Sequence, residues 1–189
     1  MRWPASTVRS CARAETAAAK VLHVRIRSEL PADAPQIEAL TAAAFLNAPH
    51  RTHTEHYIVN ALRKAGQLSV SLVAEADGAL IGHIAISPVA ISSGETGWFG
   101  LAPLAVLPQH QLQGIGSQLV REALRVLRER GASGCVVLGE PRYYGRFGFS
   151  AHRNLVLPGA PGRYFQAIAF NSAVPRGTVS FHEAFEARS

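Results

Sequence analysis

The sequence predicts a single mixed α/β domain, of the α+β kind, with a β-rich C-terminal extension. Three observations lead to this prediction. Short apolar segments of strand length alternate with longer segments whose apolar residues recur every three or four positions. The 189 residues suit one domain that can bury a core. Residues 23–189 show neither an internal repeat nor a composition typical of a linker, so we expect one folding unit.

The first elements are a strand and two helices. Residues 23–29 alternate apolar and polar side chains and predict an edge strand. Apolar residues at helical spacing predict a helix over 34–46, with Asp33 as its N-cap. A second helix is predicted over 55–64, ending at Gly66.

A β-hairpin and a third strand follow. The apolar segments 69–76 and 79–87 flank Asp77-Gly78, a dipeptide typical of a two-residue hairpin turn. Residues 98–107 form another continuous apolar segment and predict the next strand.

The C-terminal half begins with an amphipathic helix over 114–130, which Gly131 ends. The short apolar segment 134–140 is typical of a strand that is buried on both faces. A helical turn over 141–147 follows, and the remaining strands are predicted at 153–157, 163–169 and 177–181.

Composition narrows the function classes. Half of the net charge of +6 lies in residues 1–22, which hold four basic residues and one acidic residue, so the rest of the chain is only mildly basic. We expect this segment to be a disordered basic extension, a targeting segment or a misassigned start, separate from a domain at 23–189. No basic cluster is interleaved with aromatic residues, and no apolar segment reaches the roughly 18–20 residues that span a bilayer, so neither nucleic acid nor membrane is an expected partner. Cys11 and Cys135 do not suggest a disulfide framework, which favours a cytoplasmic location.

A glycine-containing turn joins the strand at 98–107 to the helix at 114–130. Gln111 to Gly116 reads QLQGIG and stands at the predicted helix N-terminus. Glycines let a backbone approach a ligand there, and free N–H groups with the helix dipole attract phosphate. The spacing fits neither the dinucleotide nor the phosphate-loop pattern, since Leu119 stands where a third glycine would be required. Taken alone, the turn is equally compatible with a purely structural role.

Two motifs in their context resemble the GNAT superfamily of N-acetyltransferases. Gln111-x-x-Gly114-x-Gly116 is similar to that family's acetyl-CoA signature between a strand and a helix. Tyr144-x-x-x-Gly148-Phe149, after the next strand, resembles a second family element. The order of strands and helices over about residues 23–150 is also the family's order. Within the superfamily, the chain looks most like the small bacterial YhbS-type acetyltransferases.

This resemblance implies a mixed central sheet with helices on both faces and with its fourth and fifth strands splayed apart. It implies direct transfer of an acetyl group from acetyl-CoA to a primary amine of a small molecule or peptide. The residues that it implies for acetyl-CoA binding are Leu104, Ala105, Val106, Gln111, Leu112, Gln113, Gly114, Ile115, Gly116, Ser117 and Arg146.

The implied roles differ along this set. Backbone N–H groups of 111–117 would cradle the pyrophosphate, and Arg146 would lie near the phosphates. The backbone of 104–106 would bond the pantetheine arm like an added strand, and the Val106 amide would polarise the thioester carbonyl.

For catalysis, the resemblance implies Tyr144 as the general acid that reprotonates the departing thiolate. Many family members carry a glutamate base on the fourth strand, but residues 98–107 contain neither carboxylate nor histidine. Glu140 is the best local candidate for the base, with His83 and water as alternatives. Each has a structural reading as well: helix capping for Glu140, a hydrogen-bonded interior residue for His83 and aromatic packing for Tyr144.

Two further expectations concern metals and partners. His50, His53, Glu55 and His56 have spacings that suit no tetrahedral zinc site, so we expect a solvated loop there and no metal. In the family this loop borders the acceptor site, which implies a part in substrate choice. The alternatives are a CoA-binding sensor or interaction module without catalysis and, on charge alone, a nucleic-acid-binding protein. We expect a monomer or a homodimer.

Overall fold

The computed structural model describes residues 23–46, 54–171 and 173–188. The predictions for residues 1–22, for Cys11 and for His50 and His53 lie outside this part of the chain. Among the described residues, no helix combines the length and apolarity needed to cross a bilayer.

The order of helices and strands agrees with the prediction. The strands are β1 (Arg25–Ser28), β2 (Val70–Ala76), β3 (Ala79–Ile91), β4 (Trp98–Val106), β5 (Gly134–Leu138), β6 (Leu155–Val156), β7 (Phe165–Ala169) and β8 (Gly177–Phe181). The helices are α1 (Ala34–Phe45), α2 (Glu55–Lys64), α3 (Ile115–Glu129) and the short α4 (Pro141–Tyr144), which continues as a 3₁₀ turn over Gly145–Phe147.

The central sheet is mixed and runs in the order β1-β2-β3-β4-β5-β7. All neighbours are antiparallel except β4 and β5, which are parallel. β1 lies at one edge, as its alternating pattern predicts. Asp77 and Gly78 both have positive φ, of 50° and 78°, as a two-residue hairpin turn between twisted strands requires.

Helices cover both faces of this sheet. The buried face of α3 contains the predicted apolar residues and packs on one side, and α1 and α2 pack on the other through Ile37, Leu40 and Val59. β5 is buried on both faces over most of its length, as its continuous apolar sequence predicts. The sheet therefore lies between two apolar layers, one beneath the helices on each face.

Most element limits lie within two residues of the predictions, and three of the differences have identifiable reasons. β3 extends to Ile91, because β8 pairs with Val89–Ile91 after β2 has ended. β5 ends at Leu138, because Gly139 and Glu140 turn into α4. The strand predicted at 153–157 is only two residues long, and it pairs with β8 alone.

Asp33 does not cap α1 in the way predicted. Its side chain forms no hydrogen bond with the N-terminus of α1. The carboxylate instead accepts from Leu30 N–H, at 2.7 Å, and pairs with Arg27, at 2.6 Å. Arg27 is the main reason that the Asp33 pKa lies below its usual value. A 3₁₀ turn over Pro31–Asp33 therefore precedes α1, and the Asp33 side chain caps the start of this turn rather than the start of α1.

Candidate active site

A gap opens in the sheet between β4 and β5. The two strands pair only over Trp98–Gly100 and Gly134–Val136, and then separate. Beyond that point β4 keeps its pairing with β3, where Ala102-Pro103 forms a bulge between Leu101 and Leu104. The predicted splay of the fourth and fifth strands is confirmed.

The end of β4 presents part of its backbone to this gap. Leu107 N–H donates to Ile81 O on β3, at 3.0 Å. In an extended strand the N–H and C=O of one residue face the same edge and those of the next residue face the opposite edge, so the backbone groups of Leu104 and Val106 face β5 and those of Ala105 face β3. Of the three predicted β4 residues, two can therefore offer backbone groups to a ligand in the gap.

The N-terminus of α3 stands beside the gap. Gly114 is its N-cap with φ 84°, a left-handed conformation that glycine adopts without strain, and no side chain caps this end. Gln118 N–H donates to Gly114 O, at 3.0 Å, so the N–H groups of residues 115–117 point out of the helix end. Together with the helix dipole they form a site for negative charge.

Gly116 serves a different purpose from Gly114. A Cβ atom there would lie 2.7 Å from Tyr143 Oη and 3.7 Å from side-chain atoms of Leu104 and Val106. The missing side chain therefore keeps open the space between the helix end and β4. A glycine at this position is therefore required by the close approach of Tyr143, and it also leaves backbone N–H groups of the turn accessible from the gap.

Glutamine side chains brace the loop that carries these glycines. Gln111 Nε2 donates to Val106 O, at 3.0 Å, and Gln113 Nε2 donates to Gln109 O, at 3.1 Å. Leu112, between them, has φ 61° and is fully exposed. The loop is thus tied to the end of β4 while its backbone turns toward the gap.

Together these elements form a cleft with a volume of about 710 Å³, which we call the glycine-loop cleft. Its walls are Leu104, Val106, His110, Gln111, Leu112, Gly114, Ile115, Gly116, Ser117, Glu140, Arg142, Tyr143 and Arg146. It brings together all the residues predicted for acetyl-CoA binding except Ala105 and Gln113. The Ala105 side chain packs against α1, and Gln113 turns its amide toward Gln109.

The cleft is positively charged at its outer end. Arg146 Nη2 reaches Ser117 Oγ, at 3.4 Å, and its guanidinium lies 4.6 Å from the centre of the Tyr143 ring. Arg142 and His110 line the same cleft and were not predicted from the sequence. The basic Arg142 and Arg146, four positions apart on either side of the tyrosine pair, were the signal that could have indicated a cationic wall.

Glu140 lies in the glycine-loop cleft as the N-cap of α4. Its Oε1 accepts from Arg142 N–H, at 3.4 Å, so the capping role considered for it is observed. The side chain is exposed and borders the α3 end of the gap.

Tyr144 belongs to a second cavity on the other side of the tyrosine pair. Its ring makes edge contacts with Tyr143 and Phe149, at centroid distances of 4.9 and 5.9 Å, so the aromatic packing considered for it is present. Burial raises the pKa of the Tyr144 hydroxyl, with a smaller contribution from Tyr143. Tyr144 is therefore protonated at neutral pH, as a proton donor must be.

The second cavity, which we call the apolar pocket, has a volume of about 400 Å³. Its walls are Phe45, Glu55, Ile58, Leu101, Ala102, Pro103, Leu104, Leu138, Tyr144, Leu157, Phe181 and Phe185. Leu104 lines both cavities, so they adjoin where β4 faces the gap. Glu55 begins α2, as the predicted helix over 55–64 requires, but it is half-buried in this pocket and not solvated as expected of the histidine-containing loop.

His83 lies in the interior, away from both cavities. Its Nε2 is 2.8 Å from Ser71 Oγ, and Glu29, which is paired with Arg63, is 3.8 Å away. Burial lowers the pKa of His83 to about 4, and the nearby Glu29 only partly opposes this effect. The interpretation of His83 as a hydrogen-bonded interior residue is confirmed, and it is placed too deeply for a base.

The described residues contain no group of three or more His, Cys, Asp or Glu side chains arranged to hold a metal ion. The His56 ring lies against the Tyr57 ring in a tilted arrangement, at a centroid distance of 3.9 Å, on the first turn of α2.

Cys135 is buried, and burial raises the pKa of its thiol, so it is not poised as a nucleophile.

An α/β domain whose mixed sheet opens beside an uncapped helix N-terminus offers free backbone N–H groups to a phosphate-bearing ligand. The chain belongs to the acetyltransferase (GNAT) family, whose model matches residues 34–149.

Relatives that align with most of this chain support the assignment. The chain is 39% identical over 167 residues to the uncharacterized N-acetyltransferase YhbS of Escherichia coli K12, covering 85% of this chain and 97% of that protein. A GNAT family acetyltransferase from Brucella melitensis, solved in complex with acetyl-CoA, is 48% identical with a TM-score of 0.78, covering 86% and 98%. The structure of E. coli YhbS in complex with CoA is 38% identical with a TM-score of 0.78, covering 89% and 94%.

Proposed function

We propose that the protein is an acetyl-CoA-dependent N-acetyltransferase that transfers the acetyl group directly to a primary amine. The observation that carries the proposal is the glycine-loop cleft. Its free helix N-terminus lies next to Gly116, and any side chain at that position would fill the space. The E. coli and Brucella relatives solved with CoA and acetyl-CoA support the same ligand for this cleft.

The residues present fit such a ligand. N–H groups at the start of α3, with Arg142 and Arg146 nearby, suit a pyrophosphate. The backbone N–H and C=O groups of Leu104 and Val106 that face the gap suit an amide-containing arm that lies alongside β4. When bound, acetyl-CoA supplies the acetyl group on a thioester.

Tyr144 is the proposed general acid. In the transfer, the amine nitrogen forms a bond to the acetyl carbon while the carbon–sulfur bond breaks, and the sulfur leaves with the bonding electrons. Tyr144 donates its hydroxyl proton to that sulfur, and the nitrogen loses a proton, so charge and atoms balance. Burial raises the pKa of Tyr144, so the hydroxyl carries its proton at neutral pH before the transfer begins.

Removal of the amine proton requires an acceptor. Among the described residues, one carboxylate borders each cavity: Glu140 in the glycine-loop cleft and Glu55 in the apolar pocket. Glu140 remains the base that we propose from the sequence. A comparison of the pH–rate profiles of Glu140→Gln and Glu55→Gln identifies which carboxylate sets the acidic limb, because only loss of the base removes it.

The test combines equilibrium binding with turnover. Calorimetry with acetyl-CoA measures binding, and release of free thiol across a broad panel of primary amines measures transfer. Binding together with amine-dependent thiol release is the expected result. Binding of intact acetyl-CoA with no release for any amine would instead support a non-catalytic sensor, and no binding would contradict both readings.

A further inference from the structure

The apolar pocket has a composition that restricts what it can hold. Apart from Glu55 and Tyr144, every lining residue in the part of the chain that the structure describes is apolar or aromatic. Its volume of about 400 Å³ falls in the range of small-molecule sites. A ligand with several charges would leave all but one of them against apolar walls, where an unpaired charge is costly.

The walls come from distant parts of the chain and are held in place. Phe181, on β8, packs against Phe185 at a centroid distance of 4.6 Å. A Cβ atom on Gly100 would lie 2.3 Å from the Phe181 ring, so the absence of a side chain on β4 lets this ring lie against the sheet. The aromatic wall is thus a fixed part of the pocket.

The single formal charge among the described lining residues is the carboxylate of Glu55. It lies one turn from Ile58 on the same face of α2, which is the face that lines the pocket. A half-buried carboxylate beside aromatic rings attracts one cation, because the rings add cation–π attraction to the ion pair. The charge of the pocket therefore complements a monovalent ammonium group.

We infer that the acceptor is a small monoamine with an apolar or aromatic body, and that Glu55 selects it by binding its ammonium group. The inference rests on the proposed function, since the pocket adjoins the glycine-loop cleft at Leu104, where the acetyl group would be presented. Polyamines and other polycations are disfavoured by the same walls. Glu55 is the specificity-determining residue of this pocket.

The test measures binding separately from turnover. In the presence of CoA, calorimetry compares phenethylamine with its neutral analogue phenethyl alcohol on the parent protein and on Glu55→Gln. We expect the variant to weaken phenethylamine by roughly tenfold or more and to weaken phenethyl alcohol much less, since both ligands can donate a hydrogen bond to the carboxylate but only the amine forms an ion pair with it. Glu129→Gln is the matched control, because Glu129 is exposed near the C-terminal end of α3.

Turnover with acetyl-CoA then compares hexylamine with hexamethylenediamine, which differ by one ammonium group. We expect kcat/KM for hexylamine to be at least about tenfold higher on the parent protein, a comparison that needs no variant. Equal or better turnover of the diamine overturns the inference while the proposed function stands. Glu55-dependent binding of phenethylamine without turnover of any amine upholds Glu55 as the ammonium-binding residue of the pocket but refutes the proposed function, and with it the role of the amine as acceptor. Absence of phenethylamine binding, or unchanged binding to Glu55→Gln, overturns the inference.

Discussion

Replacement of Gly116 by alanine, at the start of α3, should lower the affinity for acetyl-CoA and leave the stability of the protein nearly unchanged. The new Cβ atom would lie 2.7 Å from Tyr143 Oη, inside the contact distance, so the tyrosine must move. Arg146, at 4.6 Å, and Phe147, at a centroid distance of 5.5 Å, hold the Tyr143 ring. The methyl group and the displaced hydroxyl would both enter the glycine-loop cleft.

The expected loss of acetyl-CoA affinity is at least about tenfold, or roughly 1.4 kcal/mol. Stability should change little, because alanine is better than glycine within a helix by about 1 kcal/mol and this gain offsets the cost of moving Tyr143. Calorimetry with acetyl-CoA measures the first quantity, and thermal unfolding of the ligand-free protein measures the second.

Gly114→Ala is the matched control with the opposite pattern. Its Cβ atom would meet nothing within 4 Å, so the cleft keeps its volume. Its φ of 84° is unfavourable for alanine by about 1–2 kcal/mol, so stability should fall. The reasoning is refuted if Gly116→Ala binds acetyl-CoA as tightly as the parent protein, or if Gly114→Ala loses the greater share of affinity.

Two further predictions concern proton transfer and pH. Tyr144→Phe should lower kcat by about 10²-fold, the usual contribution of a general acid, while Tyr164→Phe, outside both cavities, should leave kcat unchanged in the thiol-release assay. A Tyr144→Phe rate within twofold of the parent protein would exclude the acid role. His83 has a pKa of about 4 in the folded protein and an ordinary value of 6.5, so its contribution to stability is complete above pH 6.5 and is lost as pH falls toward 4, by about 3 kcal/mol. Denaturant unfolding between these pH values should show a shallower pH dependence for His83→Gln, and equal slopes would contradict the assignment.

The fold could be predicted from the sequence where local signals and tertiary contacts agree. The limits of α2 were predicted correctly, since Gly66 adopts φ 67° and ends the helix. The limits of β3 and β6 were not, because β8 determines both. Pairing between segments distant in sequence leaves no local periodic signal, so prediction fails at those ends.

The two cavities of the candidate site also differ in how far the sequence predicts them. The glycine-loop cleft is built largely from one continuous stretch around α3 and from α4, so motif and spacing were enough to predict most of its walls. The apolar pocket is lined by residues of α1, α2, β4, β8 and a 3₁₀ turn over Glu183–Glu186, so no single segment of the sequence indicates it.

The absence of a carboxylate on β4 has to be judged together with the other residues that line the apolar pocket. Residues 98–106 contribute only apolar side chains to it, and the negative charge comes from Glu55, across the pocket on α2. The sequence of β4 alone therefore suggests a lost catalytic group, whereas the folded chain brings a carboxylate from α2 into the same pocket as this strand. Comparing Glu55→Gln with Glu140→Gln in one pH–rate series decides whether this carboxylate only binds the amine or also receives its proton. Loss of the acidic limb in Glu55→Gln alone would assign Glu55 both roles, and loss in Glu140→Gln alone would divide recognition and proton transfer between the two cavities.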